Sequence, residues 1–135
     1  MAFVVDASVT ATWLLPDESS AVAQAAYARL PYEEALVPHL WWFEMRNIFL
    51  SAERRGRLDA VSSNRALALL AGLPIQLDST ADSASVMELG RKHKLTSYDA
   101  AYLELALRET LPLATLDRAL ARAAQAEGVV LIEGD

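Results

Sequence analysis

Ala2-Phe3-Val4-Val5-Asp6 is an unbroken apolar run closed by a carboxylate. Four consecutive apolar residues with no polar alternation read as a strand buried on both faces. The same pattern recurs downstream. Pro74-Ile-Gln-Leu77 is closed by Asp78, and Pro112-Leu-Ala-Thr115 is followed by Asp117. Ala35-Leu-Val37 before Pro38 is a further short strand, and Val129 to Ile132 after Gly128 a last one. Helical stretches lie between them. Ser8 is a plausible N-cap for a short helix ending at Pro16, and Ser19 to Leu30 is Ala-rich and stopped by Pro31. Leu40 to Arg55 ends at Gly56; Trp41, Met45, Ile48, Phe49 and Ala52 repeat on one face of a 3.6-residue period. Helices are also predicted over Asp59–Ala71, Thr80–His93, Thr96–Glu109 and Leu116–Glu127.

Strands alternating with helices predict an α/β fold, a mostly parallel central sheet of four to five strands with helices on both faces. Ligands in such sheets sit outside the carboxyl ends of the strands. Polar residues just after strands, and in the first turns of the helices that follow, are therefore the candidates.

Four acids satisfy that rule. Asp6 and Asp117 follow strands, Glu44 lies one turn into the aromatic helix, and Asp99 lies in the first turn of the helix opened by Thr96. Four carboxylates in one pocket raise each other's pKa unless a cation intervenes. All-oxygen donors suit Mg²⁺ or Mn²⁺, which keep several waters and bind phosphates. Each acid also has a simpler role. Asp6 and Asp117 are good N-caps, Thr96-Ser-Tyr-Asp99 has the form of a capping box, and Glu44 sits at the margin of the apolar stripe. Asp78 follows a strand as well and is assigned no role.

Composition narrows the alternatives. The chain has 135 residues, 53% of them hydrophobic, with 18 Asp and Glu against 12 Lys and Arg, a net charge of −6. A chain of this size reads as one domain spanning 1–135, too apolar and too weakly charged for disorder. No cysteine is present, which removes thiolate metal sites and thiol nucleophiles and suits a reducing cytoplasm. No leader peptide or spanning segment is expected; the most apolar stretch, Ala66 to Ile75, is interrupted by Gly72 and Pro74. His39 and His93 form no H-E-x-x-H pattern, no Gly-rich phosphate loop or G-x-S-x-G elbow occurs, and Ser8 stands where a phosphatase Asp-x-Asp pair would need its second acid.

The segments around the four acids resemble the PIN-domain ribonucleases, in particular the VapC-type toxins of toxin–antitoxin pairs. The resemblance rests on four motifs in order: Val4-Val5-Asp6-Ala7-Ser8; Val37-Pro38 with Phe43-Glu44-Met45-Arg46-Asn47; Leu95-Thr-Ser-Tyr-Asp99-Ala-Ala-Tyr-Leu103; and Leu113-Ala-Thr115-Leu-Asp117. It implies a PIN-like three-layer fold and a Mg²⁺-dependent endoribonuclease, with Mn²⁺ able to substitute. Asp6, Glu44, Asp99 and Asp117 would form the metal site, Ser8 and Thr115 would be hydroxyls beside it, and Asn47 a supporting amide. It also implies an RNA substrate such as tRNA or rRNA, a cognate antitoxin and a homodimer. Another metal-dependent phosphoesterase, or a non-catalytic module on the same fold, are the alternatives.

The acidic total sits uneasily with an RNA substrate. Setting the four site acids aside leaves 14 acids against 12 bases, so most of the excess is the pocket itself. Phosphate contacts would fall to Arg46, Arg54, Arg55 and Arg57, and to Arg91, Lys92 and Lys94 beside His93. Both clusters lie at expected helix C-termini, where cations are favourable for that reason alone. Trp41 and Phe49 read as core. Trp42 and Phe43 fall further round the helix, and could face a partner copy or an antitoxin helix.

Overall fold

The computed structural model describes residues 1–16 and 18–134. Four strands form one sheet: β1 (Ala2–Val5), β2 (Glu34–Pro38), β3 (Ile75–Asp78) and β4 (Leu113–Ala114). Their order is β3-β2-β1-β4 and every pairing is parallel. The apolar run at residues 2–5 therefore lies at the centre, with Phe3, Val4 and Val5 fully buried. Among the described residues there are seven helices: α1 (Ala7–Leu14), α2 (Ala21–Tyr27), α3 (Leu40–Arg54), α4 (Ala60–Ala71), α5 (Ser83–His93), α6 (Ser97–Glu109) and α7 (Arg118–Ala126). The chain steps from β1 to β2 to β3 in one direction and returns to β4 on the far side of β1. Right-handed crossovers then place α1–α4 on one face and α5–α6 on the other. The packing agrees: α1 lies on α2 and α3, while α6 lies on β1 and β2 and between α5 and α7. Seven consecutive residues of α6, Ala100 to Ala106, are buried, as a helix enclosed on most sides requires.

The expected order of elements is found as far as α7, which starts at Arg118 rather than Leu116; other boundaries also move, and the expected last strand is not formed. α1 is capped by Asp6, whose carboxylate accepts from the Val9 N–H, and Ser8 instead sits in the first turn. Ser20 caps α2, which ends at Tyr27. α5 starts at Ser83, because Asp78 accepts from the Thr80 N–H and bends residues 78–80 into a turn before Asp82 caps the helix. Val129 to Ile132 does not form a strand; Leu131 makes only an isolated bridge to Leu113. β4 has two residues and offers no ladder long enough to extend. Every helix except α3 is opened by a Ser, Thr or Asp side chain that accepts from its first turn.

Candidate active site

The parallel sheet sends the carboxyl ends of β1 and β4 to the same edge. Val5 pairs with Ala114, and the Asp6 N–H donates to the Ala114 carbonyl at 3.1 Å. Asp6 and the Thr115–Asp117 turn are thus neighbours by backbone register alone. Two hydroxyls then stitch the turns together. Ser8 Oγ donates to Asp6 Oδ1 at 2.6 Å and accepts from the Leu116 N–H at 3.1 Å. Thr115 Oγ1 makes a short hydrogen bond to Asp6 Oδ2 and accepts from the Asp117 N–H at 3.0 Å. Asp117 in turn caps α7 through the Leu120 N–H. Ser8 and Thr115 are where the sequence placed them, and each bridges both turns.

Glu44 reaches the same edge from α3. It is half-buried, and its Oε1 accepts from the Tyr102 hydroxyl at 2.5 Å. The apolar stripe explains the orientation: Trp41, Met45, Phe49 and Ala52 are buried, and Glu44 lies beside them rather than on the solvated side. Trp41 also donates from Nε1 to Thr10 Oγ1 at 3.1 Å, which fixes α3 against α1. Asp99 sits in the first turn of α6, where its N–H donates to the capping Thr96 hydroxyl. The helix-capping roles of Asp6 and Asp117 therefore coexist with a shared edge.

Asp6, Glu44 and Asp99 are all shifted upward, with neighbouring carboxylate charge among the causes. Burial pushes the Asp6 carboxyl up, bonds from Ser8, Thr115 and Val9 pull it back only in part, and the Asp99 charge raises it further. Burial, then Asp6 and Asp99, hold Glu44 up against the Tyr102 bond. Burial and the Asp117 charge raise Asp99. Among the described residues no Lys, Arg or His pairs with any of the four. Nor, among those residues, do three acids converge closely enough to enclose a bare ion as the side chains stand. A hydrated divalent ion does not require that, since Mg²⁺ keeps several waters and takes one or two carboxylates directly. Oxygen donors with raised pKa values and no cationic partner fit Mg²⁺ or Mn²⁺.

The other candidates separate. Arg55, Arg57 and Asn47 line a groove of about 390 Å³ together with Ser8, Glu18, Ser51 and Leu116; none of the four acids lines it. Arg46 is turned to its own helix: its guanidinium lies 3.6 Å over the Trp42 ring and donates to the Trp42 carbonyl. Lys92 pairs with Glu127 at 2.8 Å, beside His93. Arg54 and Arg91 occupy the last turns of α3 and α5, and Lys94 caps α5 in a left-handed conformation. Trp41 and Phe49 are core; Trp42 and Phe43 are exposed and stack edge to face.

Two groups were not marked by sequence reasoning. Tyr102 lies within a quoted motif, three residues after Asp99, so one α6 face carries both. Glu104, buried at 3% exposure, binds Arg108, which also clasps Asp78 and Thr80. An acid inside the apolar run 100–107, with Arg four residues on, was the available signal. This clasp accounts for Asp78 as structural.

Comparison with known proteins follows the same lines. The family model of the PIN domain matches residues 3–126. Ribonuclease VapC3 of Pyrobaculum aerophilum is 34% identical over 124 residues, covering 90% of this chain and 93% of that protein. The fold is similar to that of PAE2754 from the same organism, with a TM-score of 0.74 at 24% identity over 98% of this chain and 90% of that one. It is also similar to FitAcB of Neisseria gonorrhoeae, with a TM-score of 0.64 at 18% identity, covering 98% and 97% of the two chains. VapC20 of Mycobacterium tuberculosis, described as a sarcin-ricin loop cleaving toxin, gives a TM-score of 0.57 at 12% identity, covering 90% of this chain and 94% of that one.

Proposed function

The chain belongs to the PIN-domain family, and from that premise we propose that it is a metal-dependent endoribonuclease, the toxin of a VapBC-type toxin–antitoxin pair. The observation that carries this reading is the edge where Asp6, Glu44 and Asp99 are all held above the usual carboxylate range by burial and by neighbouring carboxylates, Asp117 among them, with no cation among the described residues to relieve them. In this reading Asp6, Asp99 and Asp117 hold Mg²⁺ or Mn²⁺ and Glu44 completes the donor set. Such an ion lowers the pKa of a bound water and neutralises charge on a phosphodiester under in-line attack.

The chain's own residues prepare that site. Ser8 and Thr115 fix both oxygens of Asp6 and hold the Asp117 turn against it. The groove carrying Arg55 begins beside Ser8 and would supply positive charge for backbone phosphates, with Asn47 along its wall. Arg54, Arg91 and Lys94 lie at helix ends and are weaker candidates; Arg46, Arg57 and Lys92 already have partners. The whole chain is read as one PIN domain of the cytoplasm. Its partners would be structured RNA of the tRNA or rRNA kind, a cognate antitoxin and a second copy of itself.

The test is cleavage of RNA with Mg²⁺ or Mn²⁺ by the wild type and by Asp99→Asn, with DNA and small phosphate esters as comparison substrates. RNA cleavage that EDTA and Asp99→Asn both abolish, with the fold retained, supports the assignment. Full activity in either case overturns it.

A further inference from the structure

Glu44 lies on α3, and nothing on its own helix holds its carboxylate. The group that does is Tyr102, on α6, 58 residues away in sequence and across the sheet edge. The Tyr102 ring is 1% exposed and packs in the core, so its position is set by the fold rather than by Glu44. One phenol thus rides on the helix that presents Asp99 and donates to Glu44 Oε1 across the sheet edge.

We propose that Tyr102 is the positioning residue of this site: it commits Glu44 Oε1 to a fixed hydrogen bond and leaves Oε2 as the oxygen turned to the ion and its water. The inference rests on the metal-site reading of the four acids. A carboxylate on a helix surface otherwise samples several rotamers, and a partner that fixes the orientation of an ion-facing oxygen typically changes metal affinity or activity about 10–100-fold. In this proposal Tyr102 acts only through Glu44.

The experiment is a double-mutant cycle of Tyr102→Phe and Glu44→Ala, read by calorimetric titration with Mn²⁺ alone. Tyr102→Phe keeps the ring in the core, and its melting temperature is taken on the same samples to confirm folding. The expected result is Mn²⁺ affinity weakened about 10–100-fold by Tyr102→Phe in the wild-type background and no further change when Glu44 is already Ala. Cleavage of a mixed-sequence oligoribonucleotide is followed in parallel, with kcat reduced and KM retained in Tyr102→Phe. Wild-type Mn²⁺ affinity in Tyr102→Phe, or an equal loss with and without Glu44, overturns the proposal. Coupling in the Mn²⁺ titration without any RNA cleavage by the wild type would leave Tyr102 in its role and remove the nuclease assignment instead.

Discussion

Asp6→Asn should raise the stability of the metal-free protein while abolishing its response to divalent ions. Asn keeps the shape of the side chain. Its Oδ1 still accepts from Ser8 and from the Val9 N–H, and its amide N–H can donate to Thr115 Oγ1. What disappears is a charge that is 95% removed from solvent and repelled by Asp99. Ionising a group at that depth costs several kcal/mol, and three charge-assisted hydrogen bonds of about 1.5–3 kcal/mol each offset most of it. The raised Asp6 pKa says that the penalty still wins. Asn stands in for the protonated form, less about 1 kcal/mol for the Thr115 hydroxyl that must find another acceptor. The balance is a net stabilisation, read as a higher melting temperature for the variant. Thermal unfolding at pH 7.5 in EDTA measures it. Adding millimolar MgCl₂ should then stabilise the wild type and leave Asp6→Asn unmoved. A variant that melts below the wild type in EDTA would refute the argument, because it would mean the hydrogen bonds outweigh the buried charge.

Three further outcomes follow from the same energetics. The metal-free wild type should gain stability as the pH falls from 7 toward 5: Asp6, Glu44 and Asp99 have raised folded-state pKa values, so their folded forms take up protons before the unfolded chain does. Below about pH 4 the trend should reverse, since Asp78 and Glu127 are held below the ordinary range by Arg108 and by Lys92 with His93, and lose those bonds on protonation; a melting temperature that only falls from pH 7 downward would contradict this. Arg108→Ala should destabilise by about 2–3 kcal/mol in urea unfolding, below the usual cost of breaking a buried pair because Arg108 is 26% exposed, and should leave divalent-ion binding unchanged. Arg55→Ala should raise the KM for RNA several-fold and flatten its salt dependence with kcat retained, as expected of a backbone-phosphate contact.

The fold was legible because its signals are local. Residues 2–5 could only be a buried strand, and the helices carry their own stop and start residues. Boundaries were lost where a side chain chose between two roles. Of the two caps the sequence offered for α1, Asp6 takes the Val9 N–H while Ser8 turns to Asp6 and Leu116, and Thr80 was drawn into a turn by Asp78. The candidate acids were legible from their place after strands, and the register of β1 with β4 brings Asp6 beside the Asp117 turn. What the sequence hid is contact across elements: Tyr102 with Glu44, and Arg108 with Asp78, are separated by 58 and 30 residues. The basic clusters were legible as charge but not as geometry, for only the structure puts Arg55 in the groove and Lys92 on Glu127.

The pairing of β1 with β4 has a consequence for when the site exists. Asp6 Oδ1 is fixed locally by Ser8 and the Val9 N–H, but Oδ2 is held by the Thr115 hydroxyl from far downstream in the chain. A nascent chain that has reached residue 110 already carries Asp6, Glu44 and Asp99, but its central strand has one neighbour only and the fourth acid has not been made. The edge closes when β4 joins β1. The edge is therefore complete only after residues 113–117 have been made and β4 has paired with β1.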